Sequence, residues 1–134
     1  MKESEKKYFD NGQLEFEYEI FNGIKHGKFI RYFEDGEIEM IGNFIDGRHA
    51  GLWTEYYENG QIAETGEYIN DEYCVDNFWT ENGEQLLING TGKTIRKFGA
   101  TQGDVYEQYF LNGKFTGEKK IEGVGYMMFK PKED

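Results

Sequence analysis

Glutamates at alternate positions are the first residues in this 134-residue chain whose spacing suits chemistry: Glu15, Glu17 and Glu19, then Glu37 and Glu39, with Glu55, Glu64 and Glu67 further on. Two carboxyls about 5–10 Å apart, one of them held protonated by burial, would hydrolyse a glycosidic bond. Alternation along a strand meets the distance, but an open strand face offers no cleft in which to bury one of the pair. The expectation is a solvated acidic face that also deters edge pairing. A carboxylate hydrolase ranks third among the functional readings.

Other reactive groups fare no better. Gly90-Thr91-Gly92-Lys93-Thr94 follows the apolar run Leu86-Leu87-Ile88 and ends like a phosphate-binding loop. The full motif requires glycine five residues before Gly92, where Leu87 stands, and no helical pattern follows to supply an N-terminal dipole. A glycine-rich strand connection is expected there. His26 and His49 stand 23 residues apart at turn positions, whereas zinc needs three or four clustered ligands. Each is expected to close a turn and bond nearby backbone. Cys74, the only cysteine, holds the repeat position of His26 and Ala50. Equivalent positions in a linear stack point the same way, so no base is brought to its thiol. Ser4, the only serine, lies in the charged N-terminus. No catalytic, cofactor or metal residue is assigned, and the chain reads as a non-enzyme.

What must position these residues is a repeat. Tyr8, Tyr32 and Tyr56 recur every 24 residues, as do Gly12, Gly36 and Gly60, and a fixed period of this size marks a repeat architecture. Asn11-Gly12, Asn22-Gly23, Asp35-Gly36, Asp46-Gly47 and Asn59-Gly60 punctuate short alternating runs. Such dipeptides supply the positive φ of type I′ hairpin turns. Each unit therefore reads as two strands of about seven to nine residues with two tight turns. No apolar stripe of helical period survives a glycine every dozen residues. The fold class is all-β: an elongated antiparallel meander of β-hairpin repeats, largely one twisted sheet. Units are expected near 8–31, 32–55, 56–79, 80–105 and 106–129, between a frayed 1–7 and a tail at 130–134. After Tyr68 the pattern decays, and residues 70–77 lose both turn glycines.

Two-residue turns at Asp46-Gly47 and Asn59-Gly60 would pair Met40 with Trp53, Ile38 with Glu55, Tyr57 with Ile62 and Trp53 with Gly66. One face then carries Leu14, Phe16, Tyr18, Phe29, Phe33, Ile38, Met40, Trp53, Tyr57 and Ile62. Phe29 and Trp53 would lie over Gly42 and Gly66, the aromatic cover that restores packing at strand glycines. The opposite face holds Tyr8, Tyr32 and Tyr56 with Glu15, Glu17, Glu37, Glu39, Ile30, Ile41, Leu52 and Thr54, with Tyr8 across from Glu15 and Tyr32 from Glu39. The candidate partner-binding residues are Tyr8, Glu15, Tyr32, Glu37, Glu39 and Tyr56, because tyrosine is enriched at hot spots and acids steer basic partners.

Composition narrows the partner. A formal net charge of −11 argues against nucleic acid and anionic membrane surfaces and suits a basic protein. No apolar run reaches the length that spans a bilayer. The start, MKESEKKYFDNG, has no apolar signal core, so a cytoplasmic location is expected.

The segments GNFIDGRHAGLWTEYYENGQ (42–61) and NGIKHGKFIRYFEDGE (22–37) resemble MORN-type repeats, and more narrowly the variant in bacterial antitoxins of the YwqK type. The match runs through Gly47-Arg48-His49, Gly51, Trp53, Tyr56 and Asn59-Gly60, with departures at Ala50 and Cys74 where His26 stands. The resemblance implies a single-layer antiparallel sheet and a protein-interaction role, with immunity against a basic toxin domain as the leading label. The runner-up is a structural or envelope-associated repeat that self-associates along its edges.

Overall fold

A computed structural model describes residues 2–98 and 103–122. The tail expected at 130–134 and the end of the last unit lie outside the described residues. Among the described residues, eleven strands form one antiparallel sheet in strict chain order: β1 Lys2–Tyr8, β2 Leu14–Phe21, β3 Ile24–Tyr32, β4 Ile38–Ile45, β5 Arg48–Tyr56, β6 Ile62–Ile69, β7 Glu72–Trp79, β8 Gln85–Ile88, β9 Thr91–Phe98, β10 Asp104–Leu111 and β11 Lys114–Glu122. The expected meander is present. The expected fraying before Tyr8 is not: Lys2–Tyr8 pairs with β2 along its whole length and is exposed throughout.

The Asx-Gly dipeptides make two kinds of turn, where one was expected. At one rim, both central residues have positive φ, as at Asn22 (52°) with Gly23 (83°) and Asp46 (50°) with Gly47 (84°). This is the type I′ turn that matches strand twist. Asn70-Asp71 keeps it without glycine, at 54° and 69°, because Asn and Asp tolerate the left-handed region better than other side chains. At the other rim the turns span five residues. Gly12 N–H donates to the Phe9 carbonyl (3.0 Å) and Phe9 N–H to that of Gln13 (2.8 Å), with the same pair of bonds at Phe33–Glu37, Tyr57–Gln61 and Thr80–Glu84. Here glycine alone is left-handed, φ 90° at Gly12 and 88° at Gly60.

These turns, and a bulge in β5, reset the register. Tyr57 belongs to its turn, so Tyr56 rather than Tyr57 faces Ile62, while Trp53 does face Gly66. Two extra residues around the left-handed Gly51 carry Met40 past Trp53 to Glu55, so Glu55 faces Met40 and not Ile38. An even slip keeps every side chain on its face, so the division into two faces survives the wrong pairing.

A single-layer sheet buries residues only by covering them with same-face neighbours. Phe29, Phe44 and Trp53 do this on the inner face, flanked by Phe16, Tyr18, Met40, Tyr68 and Tyr73. The glycine covers are shifted by one strand from those expected: Trp53 lies over Gly42 and Tyr73 over Gly66. A second cluster, Val75, Phe78 and Leu87, continues the core. At the four-residue β8 the sheet curls, and β9 reaches across it to touch β7. Gly92 is required at this corner, since a Cβ would collide with the Leu86 carbonyl oxygen. The opposite face carries the straight cross-strand row Glu17, Ile30, Ile41, Thr54, Thr65 and Asn77.

Candidate functional site

The five-residue turns line one rim, and adjacent ones hold each other. The Asn11 side-chain amide donates to the Glu34 carbonyl (3.2 Å) and that of Asn59 to the Glu81 carbonyl (3.2 Å). Tyr57 Oη donates to the Trp79 carbonyl at 2.5 Å. Within the four turns stand Asp10, Glu34, Asp35, Glu37, Glu58, Glu81 and Glu84, with no lysine or arginine. This is an acidic rim.

All six candidate residues read from the sequence lie at or beside it. Tyr8, Tyr32 and Tyr56 end β1, β3 and β5; Tyr8 is exposed and the other two are half-buried. Glu15 and Glu39 are the second residues of β2 and β4, and Glu37 belongs to a turn instead of the strand face expected for it. The expected Tyr–Glu pairs do not form. Tyr8 faces Leu14 and Tyr32 faces Ile38, because each strand slips by one residue before its turn. Glu15 instead meets Lys7 at 3.9 Å, a surface pair of little energetic weight.

Below this rim, on the inner face, is a hollow of about 380 Å3 lined by residues that include Glu55, Tyr57, Glu64, Phe78, Thr80 and Arg96. Glu64 is buried, accepting from Arg96 Nη1 at 2.6 Å and from Tyr73 Oη at 2.8 Å. Burial alone would lower the Arg96 pKa, but the bond to Glu64 together with the charges of Glu64 and Glu55 outweighs it and raises it. Burial and the neighbouring Glu64 push the Tyr73 phenol well up. Glu55 faces Glu64 across the β5–β6 ladder, and burial, then Glu64, raise its pKa against the pull of Arg96. Like charges directly opposite each other destabilise a strand pair. An acid–base carboxylate pair would want a closed cleft, and this hollow is open along the sheet.

The remaining sequence candidates take structural places. Lys93 Nζ is bound to Glu107 at 2.9 Å and Thr94 is wholly buried, so the GKT run is strand β9 with no phosphate cradle. His26 Nδ1 accepts from the Asp46 N–H at 3.3 Å, as a turn-closing histidine should. His49 does otherwise, packing its ring on Trp53 and Tyr68 with centroids 4.9 Å apart in each case. No group of three or more potential metal ligands exists among the described residues. No helix among them is long and apolar enough to cross a membrane.

Residues 4–22, 25–46 and 51–70 each match the family model described as MORN repeat variant. Each match is one strand, one acidic five-residue turn and the next strand. The three matches lie within residues 4–70, so the likeness is to the first six strands of the sheet. Each match is thus a hairpin of the acidic rim, and the type I′ turns join one match to the next. No curated protein and no solved structure matches the chain.

Sequence reasoning missed the opposite rim. Phe21, Ile45, Ile69, Ile88 and Leu111 each precede a type I′ turn and are about half exposed, joined by Ile24 and Leu52. An apolar residue directly before Asx-Gly, or before Asn70-Asp71 at Ile69, where the acidic rim has Asp10, Glu34, Glu58 or Glu81, was the available signal. Arg96 was missed as well, and no local pattern announces a partner 32 residues away.

Proposed function

We propose that this chain is a non-enzymatic interaction module that captures a basic protein along its acidic rim, as an antitoxin or immunity protein of the YwqK type would capture a basic toxin domain. The observation that carries the reading is the single sign of the rim: seven carboxylates in four stacked turns, with no basic residue among them. Turns two strands apart are about 10 Å from each other, close to the screening length in physiological salt, so their fields add. Such a surface steers a cationic partner, and Tyr8, Tyr32 and Tyr56 supply rings beside it. The test is capture of the protein encoded by the adjacent reading frame. The expected result is a salt-sensitive complex that the triple substitution Glu34→Lys, Glu58→Lys, Glu81→Lys abolishes while the circular dichroism spectrum stays unchanged. A complex indifferent to both salt and charge reversal overturns it.

The apolar rim favours a second reading, a repeat that self-associates. Pairing through β1 is opposed by its charged edge, Lys2, Glu3, Glu5, Lys6 and Lys7. Association would run through Phe21, Ile45 and Ile69, and salt-insensitive oligomers in sedimentation would support it.

A further inference from the structure

We propose that the hollow under the acidic rim, walled by Glu55, Tyr57, Ala63, Phe78 and Thr80, receives a guanidinium or ammonium group on an aliphatic stem, as carried by an arginine or lysine of the partner. Its volume, about 380 Å3, falls within the range of roughly 300–1,000 Å3 for small-ligand sites. Three carboxylates line it, Glu55, Glu64 and Glu81, with two cations, Arg96 and Lys97. Glu64 is committed to Arg96 and Tyr73. Glu55 is left with no hydrogen bond or ion pair among the described residues, in a half-buried position where its charge is costly. A further cation placed directly beside Glu55 removes that cost, whereas an anion there would meet the facing carboxylates of Glu55 and Glu64.

The walls suit the stem and the charge of such a side chain. Phe78 already has the Arg96 guanidinium 5.8 Å over its ring, the geometry in which an aromatic face attracts a cation. The Tyr57 hydroxyl is tied to the Trp79 carbonyl, which fixes its ring as a wall. Ala63 leaves room between them, and Glu81 at the mouth extends the negative surface down from the rim. Assigning the cation to a partner's side chain rests on the basic-partner reading above. The preference of the hollow for a cation does not.

Titration of the isotopically labelled chain with N-acetyl-arginine methylamide, followed by amide chemical shifts, separates the two. Saturable shifts are expected at Glu55, Tyr57, Ala63 and Thr80, with little response to the neutral citrulline analogue. Glu55→Gln should weaken the arginine probe about tenfold, the loss of one charge-assisted contact. That variant also removes the facing of like charges, so it stays folded, and an unchanged spectrum away from the hollow confirms it. Equal shifts with citrulline, undiminished binding to Glu55→Gln, or shifts centred on Glu34 and Glu58 would each overturn the assignment. Probe binding as described, alongside partner capture that ignores reversal of the rim charges, would keep the hollow and remove the basic-partner reading.

Discussion

The two rims of this sheet are built on the same Asx-Gly dipeptide and end with opposite surfaces. At the acidic rim the residue before the dipeptide is Asp10, Glu34, Glu58 or Glu81. It sits inside a five-residue turn, off the ladder, where a charged side chain is solvated at no cost. At the apolar rim that residue is Phe21, Ile45, Ile88 or Leu111, with Ile69 in the same place before Asn70-Asp71, each the last residue of its strand and still paired. There a β-branched or large apolar side chain favours the extended backbone. The residue ahead of the dipeptide therefore accompanies both the turn geometry and the chemistry that the rim displays. A repeat of 24 residues with one turn of each kind acquires two differentiated margins without any difference between its strands.

Substitutions that treat the rims differently probe this contrast. The largest effect is expected from Gly90→Ala, whose Cβ would come within 2.8 Å of the Gly113 backbone nitrogen at φ 87°. Left-handed strain and a rigid backbone neighbour together cost about 2–4 kcal/mol, read as a lower denaturation midpoint. Gly60→Ala at the acidic rim, with nearly the same φ of 88° but only the Glu37 carboxylate at 3.8 Å, should cost about 1–2 kcal/mol. Equal costs would mean that the rims are packed alike. Asp35→Asn should act in the opposite direction. Asp35 accepts the Glu37 N–H as Asn59 accepts that of Gln61, but it has no amide with which to reach the next turn. Supplying one, as at Asn11 and Asn59, should stabilise by about 0.5–1 kcal/mol.

A smaller, pH-gated gain is expected from Glu55→Gln beneath the acidic rim. Its carboxyl has a folded-state pKa above the ordinary 4.5. Its contribution to stability is thus fully present below the unfolded value and lost as pH rises through the folded one. The glutamine variant should melt higher than the parent at pH 7–8, with the difference vanishing below pH 4.5. Smallest of all, Ile45→Lys with Ile69→Lys should move stability by no more than about 0.5 kcal/mol, because both side chains are half exposed. The same pair should eliminate any salt-insensitive self-association seen in sedimentation.

The meander was legible because Tyr8, Tyr32 and Tyr56 and the glycines behind them repeat without error. The faces were legible because alternation survives any even slip. The pairings across β4–β5 were not, since they depend on how many residues Gly51 absorbs, and a glycine in a strand does not state the size of its bulge. Core residues Phe44, Tyr73, Val75, Phe78 and Leu87 were missed for two reasons. Phe44 stands two positions past Gly42 on the same face and could have been counted. The others follow the decay of the repeat, where the bulge of one residue in β7 changes which parity faces inward. Of the seven carboxylates of the acidic rim, only Glu37 was among the candidate residues singled out from the sequence, and it was expected on a strand face. The hollow was not legible, because it exists only once β9 folds over β8 and Arg96 arrives at Glu64.

The strict neighbour order of the strands also bears on how the chain acquires its structure. Every adjacent described pair from β1 to β9 is closed by a turn of two or five residues, so loop-closure entropy is low at each step. Contacts of this kind favour fast, zipper-like growth that starts at any hairpin and spreads to its neighbours. The Glu64–Arg96 bond departs from that scheme, since it requires β6, β7, β8 and β9 to be in place before it forms. It acts as a latch set late in folding. Its release would leave the packing of Ile95 and Phe110 against Val75, Phe78 and Leu87 as what still reaches across.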